Sequence, residues 1–280
     1  MIITNMSKLY IVGDSFSSAE PKGRDQEKTW WYRLAQKLQC KGFMNWSMIG
    51  SAQEYAWYML LVQLDQITPD DYLLIVATHP SRRWWAISDP TLGKVEFLQD
   101  AAHIDDNIAK TAELWQRYVQ TPQLDSAAVL QRLGWLSAVV QSRGLRNPLV
   151  IFGFDQLVPG YDEFKNIKYS KGSLTENVAN LEILGGHVDD AYNKLIQGID
   201  PRYNHMCLRN HEIMLEKTYN AFTTDQELDL TTGFELGILT NESINDPAFI
   251  EKELDLLKVQ QRGSQIKKKN MLSMFRMNNR

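Results

Sequence analysis

The sequence of 280 residues lacks features that define several large classes of protein. It has only two cysteines, Cys40 and Cys207, which is too few for a disulfide framework and suits a reducing compartment. They do not have the spacing of a metal site, so each is expected to be a buried free thiol. No stretch approaches about 18 uninterrupted apolar residues, so no membrane span is expected. The amino end shows no signal-peptide cleavage pattern, and the protein is therefore predicted to be cytoplasmic.

An excess of basic charge is also absent. The net charge is −4 and the pI is about 5.8, so no nucleic-acid partner is expected. There is no G-x-x-x-x-G-K-[ST] and no G-x-G-x-x-G after a predicted strand, which argues against a nucleotide-binding protein. With 44% hydrophobic and 23% charged residues, the composition is that of an ordinary globular protein with a sizeable core.

Apolar runs alternate with helical spacings along much of the chain. Strands are predicted at 8–13, at 43–50, within 68–80 and at 147–155, and helices at 27–40, 51–67, 125–144 and 207–222. Ser51 is the expected N-cap of the second helix. Strands separated by helices pair in parallel, with helices on both faces of the sheet, so an α/β fold is predicted.

The chain is expected to form one α/β domain over residues 1–222, followed by a helical extension over 223–280. An insertion at about 86–124 interrupts the domain, and residues 156–198 are expected to be irregular. The final segment, 263–280, has five basic residues, no acidic ones and several apolar side chains. It is either a solvated tail or a docking peptide for a protein partner or an acidic surface.

A candidate nucleophile lies directly behind the first predicted strand, in the sequence GDSFS. Ser15 takes the first exposed position there, although a serine in a turn can also serve only as a cap. A serine needs a base to take its proton. His205 is expected on a loop just before the helix at 207–222, and His211 lies inside that helix.

Three segments resemble blocks of the SGNH hydrolases, also called the GDSL family. GDSFS resembles the opening block, Gly50 in NWSMIGSAQE the second, and NHMCLRNH, which ends in His211, the closing one. The resemblance spans residues 8 to about 222. It implies a three-layer α/β/α sandwich with a parallel, flavodoxin-like sheet, and an active site at the carboxyl ends of the strands.

The resemblance also implies catalytic roles. Ser15 attacks an ester carbonyl, His205 takes and returns the proton, and the N–H groups of Ser15 and Gly50 stabilise the oxyanion. His211 is expected to be structural. No metal and no cofactor is required.

Two family features are altered in this sequence. The third block is Gly-x-Asn-Asp, and its asparagine donates to the oxyanion, but Pro80 falls at that position and cannot donate. Thr78 is the first candidate to replace it, and His79, Ser81 and Arg83 are the others.

The family's aspartate lies two or three residues before its histidine. Here the nearest aspartate is Asp200, five residues before His205. Asp200 is the candidate triad acid, with Asn204 or a backbone carbonyl as alternatives.

The sequence therefore predicts a serine esterase or O-deacetylase that acts on a small-molecule or glycan ester. Arg83, Trp84, Trp85 and the insertion are expected to form the wall of its pocket. The alternative is a catalytically impaired protein of the same fold that serves a structural or assembly role through its tail and insertion. Divergent proteins of this kind resemble ones associated with bacteriophages, so the alternative includes a virion component.

Overall fold

The computed structural model describes residues 7–18, 29–48, 51–80, 82, 110–111, 114–115, 117–154, 158–177 and 208–234. Its strands are β1 (Lys8–Val12), β2 (Gly42–Asn45), β3 (Tyr72–Ala77), β4 (Leu149–Phe152), β5 (Lys168–Ser173) and β6 (Leu228–Asp229). Its α-helices are α1 (Trp30–Lys37), α2 (Gln53–Gln63), α3 (Pro122–Arg143), α4 (Leu174–Asn177) and α5 (Leu208–Thr223). All the strand pairs are parallel, in the order β2-β1-β3-β4-β5-β6.

Helices cover both faces of this sheet. Leu9 and Ile11 of β1 belong to a buried cluster with α1 and α5, whereas Tyr10 and Val12 belong to a second cluster with α2 and α3. The same alternation holds in β3 and β4. Because successive side chains of a strand point to opposite faces, an uninterrupted apolar strand can fill both cores. The predicted three-layer α/β/α sandwich is confirmed.

The strand order has a topological switch point between β1 and β3. The chain leaves β1 for β2 on one side and returns to β3 on the other side of β1. This is the flavodoxin-like order, in which a crevice opens beyond the carboxyl ends of the two central strands. The predicted parallel, flavodoxin-like sheet is therefore confirmed, with one further strand at the β5 edge.

The sequence analysis did not predict the last two strands on that side of the sheet, β5 and β6. Residues 156–198 were expected to be irregular, but β5 and α4 lie within 168–177. β6 follows α5. Leu228 in β6 and Leu230 directly after it are buried, so packed structure continues past residue 222 to at least Leu230. β5 is polar and β6 is short. Their strand conformation therefore depends on pairing with neighbouring elements rather than on their own sequence.

Other expectations fall partly or wholly outside the described residues. In the predicted insertion, the described residues between 110 and 118 are helical. Of the helical extension predicted at 223–280, residues 235–280, which include the basic tail, lie outside the described part. Of the helices that are described, none is both long and apolar enough to cross a membrane.

Gly13 connects β1 to the turn that holds Ser15, and no side chain fits there. A Cβ on Gly13 would lie 2.8 Å from Cβ of Val76 and 2.9 Å from the Val76 carbonyl oxygen. The parallel neighbour β3 thus leaves room for a hydrogen atom only.

Gly13→Ala is expected to destabilise the protein by about 3 kcal/mol, because the extra methyl group forces the backbones of β1 and β3 apart. Urea unfolding monitored by tryptophan fluorescence measures the difference. Gly42→Ala is the matched control, since a Cβ at Gly42 meets nothing within 4 Å, and it should change stability by less than about 1 kcal/mol. Equal stability of the two variants would contradict the close approach of β1 and β3.

Candidate active site

Ser15 lies in a tight turn at the switch point. The Ser17 N–H donates to the Asp14 carbonyl at 3.1 Å and closes the turn directly after β1. Among residues 13–18, Ser15 alone is partly exposed, and the others are buried. The fold therefore presents this serine at the carboxyl edge of β1 and buries its neighbours.

The buried carboxylate of Asp14 lies inside the turn and holds it through a hydrogen bond and an ion pair. Its Oδ1 accepts the Phe16 N–H at 3.1 Å, and its Oδ2 lies 3.5 Å from Nη1 of Arg82. The side chain of Asp14 has no solvent exposure. Burial raises the pKa of the Asp14 carboxyl, while the Arg82 charge and hydrogen bonds from Phe16 and Thr78 act in the opposite direction.

Arg82 is a site residue that the sequence did not single out. Its Nη1 donates to Oγ1 of Thr78 at 2.9 Å, and its guanidinium carbon lies 4.8 Å from the ring centroid of Phe154. That ring also packs against Phe16, with centroids 5.9 Å apart, and against His79 at 5.7 Å. In THPSRRWW the two arginines are adjacent, so spacing could not show which one reaches the turn.

Thr78 follows β3 and is buried. Its hydroxyl contacts Arg82, and its carbonyl accepts Nε2 of Gln53 at 2.6 Å. Oε1 of Gln53 accepts Nη1 of Arg132 from α3 at 2.8 Å. A role for Thr78 as an oxyanion donor stays a prediction, and these contacts give its side chain a second role in supporting Asp14 and Arg82.

The loop after β2 is hydrogen-bonded to the same turn. Nδ2 of Asn45 donates to the Ser17 carbonyl at 2.6 Å, and Oδ1 of Asn45 accepts the Ser47 N–H at 2.9 Å. The hydroxyls of Ser17 and Ser47 lie 2.8 Å apart. The amide and hydroxyl side chains therefore fix the β2 loop against the Ser15 turn.

The carbonyl of Gly13 anchors the next part of that loop. It accepts the Met48 N–H and the Ser51 hydroxyl, each at 3.1 Å. Ser51 was expected to cap α2, but the N-cap is Ala52, and no side chain caps the helix. The expected cap is therefore wrong, because the hydroxyl of Ser51 bonds to the Ser15 turn instead.

The amino end of α5 lies level with the amino end of α1. Glu212 of α5 contacts Arg33 at 3.9 Å, and Glu216 contacts Lys37, so the two helices run parallel in a fixed register. At the start of α1, Nε1 of Trp30 donates to the Phe16 carbonyl at 3.1 Å. The first turn of α5 is therefore at the same edge of the sheet as the Ser15 turn.

The opposite end of α5 confirms this direction. Lys168, the first residue of β5, donates to the carbonyls of Ala221 and Thr224 at 2.7 and 2.8 Å. The end of α5 thus lies at the amino edge of the parallel sheet, and its beginning lies at the carboxyl edge.

Several predicted site residues lie outside the described part of the chain. They are Gly50, Arg83, Trp84, Trp85, Asp200 and His205. Among the residues that the structure describes, no group of three or more His, Cys, Asp or Glu side chains is placed to hold a metal ion.

No protein-family model and no curated protein matches the sequence. Among solved structures, the chain is similar to TesA, with 17% identity over 78% of this chain and 98% of that one, and a TM-score of 0.40. It is also similar to a member of the lipolytic protein G-D-S-L family from Veillonella parvula, with 11% identity over 78% of this chain and 98% of that one, and a TM-score of 0.40.

The fold of the described residues has the features that the sequence resemblance implied. It has the parallel three-layer sheet, the flavodoxin-like strand order and a Gly-Asp-Ser turn after the first strand.

Proposed function

We propose that the protein is a serine hydrolase that cleaves an acyl ester through Ser15 and His205. The observation that carries the proposal is the position of Ser15. It is the one partly exposed residue of a buried turn, at the carboxyl edge of β1 and beside the switch point. A serine that served only to cap or fill a turn would not need support both from the loop between β2 and α2 and from Thr78 and Arg82 after β3.

His205 is the proposed base because it precedes Leu208, the first residue of α5, by three positions. The parallel register of α1 and α5 brings that start to the level of Trp30, whose indole bonds to Phe16 beside Ser15. Three residues span at most about 10 Å, so this arrangement supports a position for His205 near the carboxyl edge of the sheet, where Ser15 lies.

In the proposed reaction, Oγ of Ser15 attacks the ester carbonyl carbon while His205 accepts the hydroxyl proton. The tetrahedral intermediate collapses to an acyl-serine, and His205 returns the proton to the departing alcohol. Water then attacks the acyl-serine with His205 as base, which releases the carboxylic acid and restores Ser15. Asp200 is the proposed partner that orients His205.

The N–H groups of Ser15 and Gly50 are the proposed oxyanion donors, where one donor is worth about 3 kcal/mol. Support for Gly50 comes from its neighbour Ser51, which bonds to the Gly13 carbonyl.

The substrate is proposed to be a small-molecule or glycan O-acyl ester. Arg83, Trp84 and Trp85 directly follow Arg82 in the sequence and are proposed to form the pocket wall. Phe154, which is partly exposed and packs against Phe16, supplies apolar surface near the carboxyl edge of the sheet. Aromatic walls of this kind suit an acyl chain or the apolar face of a sugar.

A fluorophosphonate probe tests the proposal directly. The wild-type protein should form a covalent adduct that peptide mass spectrometry places on Ser15, and it should hydrolyse p-nitrophenyl acetate and butyrate. Heat-denatured protein is the control for nonspecific labelling. No adduct and no turnover would favour the alternative, a structural protein on the same fold.

A further inference from the structure

We infer that Arg82 is a positioning residue that fixes the Ser15 turn through its ion pair with Asp14. The inference rests on the proposed function, since it assigns a residue to the support of the proposed nucleophile. Arg82 lies outside the Ser, His, Asp and oxyanion positions that the sequence suggested.

Asp14 is hydrogen-bonded to the backbone that directly follows Ser15. Its Oδ1 accepts the N–H of Phe16, and its carbonyl accepts the N–H of Ser17. The two amides that follow Ser15 are thus bonded to Asp14. A displacement of the Asp14 side chain would therefore also displace the peptide unit that follows Ser15.

Arg82 is itself held rigidly where it meets Asp14. Its guanidinium is fixed by the hydroxyl of Thr78 and by the face of Phe154, and its side chain is only 14% exposed. A cation that is stacked and hydrogen-bonded in this way has one orientation, which is the property that a positioning group requires.

The pairing is needed because a carboxylate without solvent contact requires a compensating charge. If Arg82 is removed alone, Asp14 must take up a proton or move toward water. Either change disturbs the bond to the Phe16 N–H. An asparagine at position 14 could keep that bond through its amide oxygen without any counter-charge.

The test compares Arg82→Met, Arg82→Lys, Asp14→Asn and the double variant Asp14→Asn/Arg82→Met. The readouts are the rate of fluorophosphonate labelling of Ser15, and kcat and KM for p-nitrophenyl acetate. Arg82→Met should label about 100-fold more slowly, the scale expected when a reacting group moves by about 1 Å. The loss should appear in kcat, with KM little changed.

The double variant should recover at least about 10-fold of that loss, since it removes the uncompensated charge. Arg82→Lys should fall between wild type and Arg82→Met, because it keeps the charge and loses the planar fork. Arg143→Met is the matched control, since Arg143 pairs with Asp65 and Leu64 away from the site, and it should label at the wild-type rate.

Circular dichroism and thermal unfolding establish that each variant is folded. A folded Arg82→Met that labels like wild type, or a double variant as slow as Arg82→Met, would overturn the positioning role. If Arg82→Met does not fold, the comparison of Arg82→Lys with the double variant decides, and a double variant slower than Arg82→Lys by 100-fold or more overturns it. Absence of labelling in wild type would instead overturn the proposed function, and the positioning role with it.

Discussion

Replacement of Ser15 by alanine is expected to lower kcat for p-nitrophenyl acetate by at least about 10,000-fold and to abolish fluorophosphonate labelling. The serine forms the covalent bond to the acyl group, so no neighbouring residue can take its part in the step, and only binding and oxyanion stabilisation remain. Initial rates at saturating ester measure the loss. The fold should be unchanged, because Ser15 is the one partly exposed residue of its turn.

Ser142→Ala is the control for this substitution. Ser142 is exposed on α3, where its hydroxyl donates to the Val139 carbonyl at 3.1 Å, and its loss should leave kcat within about 2-fold of wild type. A Ser15→Ala protein that retains hydrolysis would show that another group is the nucleophile.

The second large effect is expected from His205→Gln. Loss of the base should lower kcat by about 10,000-fold, because the serine hydroxyl then keeps its proton. In wild type the rate should rise with pH as the imidazole loses its proton, near pH 6.5 for an ordinary histidine. In His205→Gln that rise should vanish, since glutamine does not titrate. A profile of kcat/KM from pH 5 to 9 measures both outcomes.

His211→Gln distinguishes the two histidines of the closing block. His211 lies within α5 and is half-buried. Its substitution should lower the melting temperature while kcat stays within a few fold of wild type. If His211→Gln instead removed the pH-dependent rise and His205→Gln did not, the base would be His211.

The central strands could be predicted from the sequence because their evidence is local. β1, β3 and β4 are uninterrupted apolar runs, and a run buried on both faces is typical of a parallel sheet between two helical layers. β5 and β6 could not be predicted in this way. KYSKGS has little apolar character, and β6 has only two residues, so their pairing depends on β4 and α5 being in place.

The candidate nucleophile was likewise visible in the sequence, since Gly-Asp-Ser directly follows a buried strand. The residues that support the Ser15 turn could not be identified from the sequence. The ion pair of Arg82 with Asp14, the bond from Ser51 to Gly13 and the contacts of Thr78 join residues that are 4 to 68 positions apart.

The sequence by itself therefore determined the layered α/β fold and the serine at the end of β1, because hydrophobic periodicity and turn chemistry act between near neighbours. Only the tertiary structure decided which polar side chains hold that serine. A buried polar group takes whichever partner the packing of distant segments brings within hydrogen-bonding distance, and for Asp14 that partner is Arg82.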